Sequence, residues 1–490
     1  MKQGERPENA VVESRWRKSQ RRRQRKVSHR GLATVMTTGL GLVLAAWIAF
    51  DSSPEPEVIA ETPLRIMQSV QMPARLPDSL FERLPVTHAV LNLPVAANQL
   101  GSDRFHEMVA VLDGAGDDAR GAAHGTRMVR INYTFDPDLT RSVFRVLRNA
   151  RVALGHVILL DPRTGRVLSY ASTDTDRFPP TRAYPAASLI KVITAAAALD
   201  RDPGLARLPC RFRGSPYRLT RSRIDPPKAG NEVSLRGALS SSNNQCFAQL
   251  AVHAVGSSSL MEAILRFGWL SEPAPAHAAG SADPGEDRYA VGRLGCGLAG
   301  SLITPLHAVQ LASTLSRGEL VEPRWIEGVF DDTGRELPLP AVGPIRQVMT
   351  PELAAELREM LVDTTTKGTA RRAFRKRNGR ALLGPVQVAG KTGSLLGYDP
   401  KGRYEWFMGV APADDPRIAI AVLLVQSDLW WRNASQVAAE VLRGVFCARA
   451  GCTAELAARW MKIPTMGASQ PTAAAAASAR QPAERVTALN

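Results

Sequence analysis

The hydropathy pattern opens with an uncharged run, Gly31–Phe50 (GLATVMTTGLGLVLAAWIAF), twenty residues long. At 1.5 Å rise per residue, about 20 residues cross a hydrocarbon core of about 30 Å, so the run predicts a membrane-spanning helix. Residues 51–85 are rich in Pro and acidic side chains and read as a linker. Residues 86–127 show no clear period. From Met128 the pattern sharpens: MVRINYTF alternates as a strand, and DPDLTRSVFRVLRNAR opens with a capping Asp and continues at helical spacing. ALGHVILLD and RVLSYAS read as two strands joined by PRTG. Tyr184–Asp200 (YPAASLIKVITAAAALD) is apolar on all sides, which predicts a central buried helix with Pro185 in its first turn. Polar SSSNN before QCFAQLA predicts a loop entering a helix, and VQVAGKTGS an alternating strand. The tail from Gly467 is low in complexity.

Composition adds location more than class. The hydrophobic fraction of 44% and charged fraction of 22% are those of a globular chain. The net charge of +16 suggests a nucleic-acid binder, but residues 1–30 hold eleven Lys and Arg against three Glu, half of the excess. Directly before an apolar span, such a run sets orientation: residues 1–30 in the cytoplasm, everything after Asp51 outside it. The expected topology is a single pass through a membrane, with no nucleic-acid partner. A cleaved signal peptide fits less well, because the apolar run is too long and no small-x-small site precedes Asp51.

Three short patterns carry chemistry. Ser188 and Lys191 stand three apart, on one face of the central helix. A lysine buried there loses basicity by desolvation and becomes able to accept a proton. Of ten lysines, only Lys191 has a serine three residues before it. Ser242-Asn243-Asn244 enters the next polar-to-apolar helix; taken alone it reads as a helix cap. Lys391-Thr392 lies between Gly390 and Gly393, where glycine in a strand marks close backbone approach. It is no phosphate loop, since Pro385 stands where the first glycine of that pattern belongs.

Each pattern is weak alone. Ser-x-x-Lys, Ser-x-Asn and Lys-Thr-Gly in that order are the known signature of penicillin-binding proteins and class A β-lactamases. The chain resembles the serine D,D-transpeptidase domain of a penicillin-binding protein, in the monofunctional, class B-like branch. HVILLDPRTGRVLSYAS, LITPLHAVQLASTLSRGELVEP, the Gly368–Ala370 GTA and EWFMGVAPADDPRIAIAVLLVQ extend the likeness over about 330 residues. Asn243 fills a position variable in the family, and Ser394 follows Lys-Thr-Gly where many members have Thr. The resemblance implies an α/β (α+β) fold, an antiparallel sheet flanked by helices. The third-motif strand Val386–Ser394 would lie at the cleft edge, followed by strands near 405–412 and 417–426 and a helix near 434–448. The domains expected are a basic tail (1–30), a signal anchor (31–50), a linker and small region (51–127), a transpeptidase domain (128–460) and a disordered tail (461–490).

The resemblance also implies roles. Ser188 is the acylated nucleophile and Lys191 its base; Ser242 relays the proton to the departing D-Ala amine, and Asn244 holds the substrate amide and orients Lys191. Lys391 supplies positive potential, Thr392, Gly393 and Ser394 form the carboxylate-binding strand, and the backbone N–H groups of Ser188 and Ser394 form the oxyanion hole. Substrates would be peptidoglycan stem peptides, inhibitors β-lactams, and partners other cell-wall synthesis proteins. No cofactor or metal is implied, and the eight histidines lack zinc spacing. His307 reads as a helix-face histidine.

Rival readings on the same fold are a D,D-carboxypeptidase and a β-lactamase or β-lactam sensor; from another class comes a catalytically idle scaffold. No Glu-x-x-Leu-Asn stands between the second and third motifs, as a class A lactamase requires. About 77 residues between Asp51 and Met128 are too few for a glycosyltransferase domain. Among five cysteines, Cys447 and Cys452 are the expected disulfide; Cys246 pairs with Cys210 or stays free, and Cys296 is unassigned.

Overall fold

Val157–Leu160 and Ile418–Leu424 are closed to solvent at every position, the mark of strands covered on both faces. They belong to the central sheet of a computed structural model that describes residues 107–112, 127–275, 277–330, 333–337, 339, 345–426 and 432–460. The predicted membrane span, the basic run and the low-complexity tail lie outside the described residues. Among the described residues no helix is long and apolar enough to cross a membrane.

Counting strands of four residues or more, the chain begins with β1 (Glu107–Leu112) paired antiparallel to β2 (Arg127–Tyr133). Helix α1 (Pro137–Asn149) starts as its sequence dictates: the Asp136 side chain accepts from the Leu139 N–H and Pro137 fills a position needing no donor. Its buried stripe is Leu139, Val143, Phe144 and Leu147. The hairpin of β3 (Leu154–Leu160) and β4 (Val167–Ser172) follows. Next come α2 (Lys191–Arg201), the hairpin β5 (Pro209–Phe212) and β6 (Asn231–Ser234), and the short helices α3 (Leu235–Ser240) and α4 (Asn244–Gln249). Helices α5 (Ser257–Arg266), α6 (Arg288–Gly295) and α7 (Pro305–Arg317) lead to β7 (Ile326–Phe330) and α8 (Pro351–Thr366). The last elements are β8 (Ala389–Tyr398), β9 (Lys401–Ala411), β10 (Ile418–Gln426) and α9 (Ala434–Phe446).

The central sheet runs β8-β9-β10-β3-β4, antiparallel throughout, with β8 at one edge. Helices α1 and α9 pack on each other and on the sheet; α7 and α8 form a second such pair. This is the mixed α/β arrangement expected, an antiparallel sheet flanked by helices.

Four details differ from the sequence reading. The motif helix begins at Lys191, about two turns late: Tyr184–Pro185 pairs as a short strand with Leu302 and Ile303, and Ala187–Ile190 is a 3-10 turn. At its other end it runs to Arg201, one residue past Asp200. The third-motif strand starts at Ala389 and continues to Tyr398, because Pro385 and the turn from Leu383 to Val386 occupy the residues before it. β1 falls within residues 86–127, where the sequence shows no clear period; its pairing with β2, which in turn pairs with β7, builds a second sheet. Weak alternation in EMVAVL hides it, and only the partner strand reveals it.

Candidate active site

Ser188 sits in the 3-10 turn directly before α2, half-buried. The preceding Ala187 has φ +50°, a left-handed conformation costing about 1 kcal/mol or more for a residue with a Cβ. Gly297 makes room for this turn. A Cβ on Gly297 would stand 2.0 Å from the Ala187 carbonyl oxygen and 3.0 Å from the Ser188 nitrogen.

One turn on, the Lys191 ammonium nitrogen lies 2.7 Å from Ser188 Oγ, 2.6 Å from Asn244 Oδ1, 3.2 Å from Ser242 Oγ and 3.3 Å from the Ser242 carbonyl oxygen. It is wholly buried, and that desolvation lowers its pKa to about 8. A neutral amine offers one lone pair; with Asn244 Oδ1 and the Ser242 carbonyl taking N–H donors, that lone pair is left for the Ser188 hydroxyl proton.

Ser242 lies in the turn between α3 and α4, and Asn244 is the first residue of α4. Ser242 has φ +57°, and Asn243 caps α4 by accepting from the Cys246 N–H. The capping reading of this motif therefore holds for Asn243, while its neighbours face Lys191. Asn244 is fixed from behind by the β5–β6 hairpin. Its N–H donates to the Pro216 carbonyl and its Nδ2 to the Tyr217 carbonyl, each at 2.9 Å. A Cys210–Cys246 disulfide joins β5 to α4, and Cys447 pairs with Cys452 as expected; Cys296 is buried and free.

The opposite wall is β8. Lys391 Nζ, also wholly buried, donates to Ser242 Oγ at 2.9 Å and to the Thr392 carbonyl at 2.8 Å. Burial, and then the neighbouring Lys191, hold its pKa well below the ordinary lysine value. Ser242 thus stands between two lysines in one hydrogen-bonded chain from Ser188 to Lys391. Thr392 Oγ1 lies 2.6 Å from Thr369 Oγ1, in a turn seated on α3 through the Thr369 N–H to the Ser240 carbonyl. A Cβ on Gly393 would meet the Ala186 carbonyl oxygen and Ala187 Cβ at 3.3 Å, so β8 and the Ser188 turn are closely opposed.

Every residue the sequence nominated converges here. Ser188, Ser242, Asn244, Thr392, Gly393 and Ser394 line a cavity of about 460 Å³, with Lys191 and Lys391 buried beneath it. Sequence reasoning missed Tyr217, Gly297, Arg403, Glu405 and the start of α9, all lining the same cavity, and gave Thr369 no role. Arg403 and Glu405 come opposite the third-motif strand through the β8–β9 register, which the fold supplies. His307 is a buried residue of α7, its Nε2 2.9 Å from the Gly268 carbonyl.

A family model described as the penicillin binding protein transpeptidase domain matches residues 155–446. Peptidoglycan D,D-transpeptidase PbpA of Mycobacterium tuberculosis is 28% identical over 311 residues, covering 55% of this chain and 61% of the relative. FtsI of Escherichia coli, also called a peptidoglycan D,D-transpeptidase, is 26% identical over 328 residues, covering 59% of this chain and 51% of the relative. The chain thus spans under two thirds of these relatives. The crystal structure of penicillin-binding protein A from M. tuberculosis superposes with a TM-score of 0.53 at 23% identity, covering 64% of this chain and 80% of that one.

Proposed function

Because the chain belongs to the penicillin binding protein transpeptidase domain family, we propose that it is a peptidoglycan D,D-transpeptidase that cross-links stem peptides and is acylated by β-lactams. The observation that carries this reading is the buried chain Ser188–Lys191–Ser242–Lys391 with Asn244 fixing its centre.

Ser188 Oγ attacks the carbonyl between the two terminal D-Ala residues as Lys191 takes its proton. The tetrahedral oxyanion is held by the backbone N–H groups of Ser188 and Ser394, each such donor worth about 10²–10³ in rate. Collapse breaks the peptide bond, and Ser242 passes a proton to the leaving D-Ala amine, replenished from its two lysine neighbours. The result is an ester on Ser188 and free D-Ala. An amine of a neighbouring stem then attacks the ester and releases Ser188. Thr392 and Ser394 receive the terminal carboxylate, with Lys391 beneath them adding positive potential. The relatives' activity and a ceftriaxone acyl-enzyme of penicillin-binding protein A support the acyl-transfer reading. Gly31–Phe50 anchors the chain in the inner membrane and sets the folded domain on its periplasmic side, where stem peptides and other cell-wall synthesis proteins are met.

Fluorescent penicillin tests the reading: the protein labels, and Ser188→Ala abolishes the label. A wild-type protein that stays dark is an idle scaffold. Incubation with cross-linkable lipid-linked muropeptide separates transpeptidase from carboxypeptidase, since dimers report the first and trimmed monomers the second.

A further inference from the structure

Away from the catalytic cleft, and sharing no lining residue with it, the domain holds a second cavity of about 630 Å³. That volume lies within the range of about 300–1,000 Å³ usual for small-molecule sites. Arg145 on α1 and Arg443 on α9 face it. A small residue on each helix lets the two approach, and a Cβ on Gly444 would stand 3.1 Å from Ser142 Oγ. Lys376 comes from the hairpin of residues 374–382, whose turn is closed by the Lys376 N–H to the Arg380 carbonyl at 2.9 Å. Arg449 comes from the loop closed by the Cys447–Cys452 disulfide. The chain leaving the hairpin touches that loop, since a Cβ on Gly384 would lie 3.5 Å from Cys452 Cβ.

These four cations are exposed, and among the described residues their side chains have no ion pair or hydrogen bond. Glu440, the acid on the wall, is held by Arg432 at 3.5 Å. Arg443 sits in the last turn of α9, where the helix dipole favours a cation, but Arg145 and Lys376 belong to other elements. Nor does the hairpin offset the cluster, for it adds Arg375, Arg377 and Arg380 and no acid. Four elements thus deliver one cation each to a single concavity.

We propose that this cavity is a binding site for a diphosphate group, its two phosphates shared among Arg145, Lys376, Arg443 and Arg449. Arginine forks match phosphate oxygens two at a time, and a diphosphate spreads its charge over a span that separated cations can grip. A lone carboxylate, with one charge, would leave most of the cluster unanswered. Val146, Leu382 and Ala448 give the cavity an apolar side, where the organic part of a diphosphate ester would lie. The closed loop and the hairpin fix the backbones of Arg449 and Lys376 before the ligand arrives, which lowers the cost of ordering them. The inference stands apart from the transpeptidase reading, since no residue of the Ser188–Lys391 chain takes part.

The test is calorimetric titration of the detergent-solubilised full chain at low salt in a phosphate-free buffer. Pyrophosphate represents a soluble diphosphate, and decyl diphosphate in the same micelles a lipid-borne one. Pyrophosphate is expected to bind about tenfold or more tightly than inorganic phosphate, the scale of one added charged hydrogen bond. Arg145→Gln combined with Arg443→Gln weakens it by about tenfold or more. Arg21→Gln with Arg22→Gln, in the basic terminal run, leaves it unchanged. Circular dichroism and penicillin labelling, unaltered in the Arg145 and Arg443 variant, show that the loss is local. Tighter binding of decyl diphosphate assigns the group to a lipid headgroup, and equal or weaker binding to a soluble ester; either supports the site. Absence of binding, phosphate matching pyrophosphate, or affinity that survives the cavity substitutions but falls with the terminal ones overturns it. So does a hexaglutamate peptide that outcompetes pyrophosphate, because the face would then dock an acidic protein segment.

Discussion

The two ends of the cleft are built on opposite plans. At the Lys191 end both lysines are shut away from solvent and tied into one hydrogen-bonded chain with Ser188, Ser242 and Asn244. At the Glu405 end an exposed arginine stands beside a carboxylate with an oxygen left over. Saturation suits groups that must act on each other in fixed geometry, since a misplacement of about 1 Å can cost about 10² in rate. An unfilled valence suits a group whose partner arrives from outside.

Backbone disruption at the saturated end should do most damage. Gly297→Ala drives a Cβ against the Ala187 carbonyl and places a side chain at φ +76°. Penicillin acylation of Ser188 is expected to fall by about 10² or more, with the folded fraction checked by circular dichroism. Titration gives the next largest effect. Below pH of about 8 Lys191 holds its proton and has no lone pair for Ser188, so the acylation rate falls by up to about tenfold per pH unit and levels off above the midpoint. A rate flat from pH 6 to 9 would show that Lys191 is not the base. The smallest change is expected between the two ends: Thr369→Val removes the bond to Thr392 Oγ1. Loss of one neutral hydrogen bond predicts a few-fold weaker acylation, read as a higher half-saturating penicillin concentration with the limiting rate little changed.

This contrast also sorts what a reader of the sequence can see. Ser188 and Lys191 are legible because proton transfer needs them one turn apart, and local spacing records that. Their turn is misread as α-helix because the left-handed Ala187 needs the space left by Gly297, over a hundred residues away. The central strands are legible from apolar runs that only a doubly covered sheet permits. Glu405 is not, since a glutamate in a strand reads as solvent-facing; its burial comes from the start of α9, met only in the fold. Tyr217 is hidden for a like reason, since its carbonyl, rather than its ring, holds Asn244.

The covalent tie between β5 and α4 carries one more consequence. Held reduced, the polypeptide would keep Asn244 in register through hydrogen bonds alone, to the Pro216 and Tyr217 carbonyls and to Lys191. The disulfide thus braces the Ser242–Asn244 turn behind Lys191 as well as the scaffold around it.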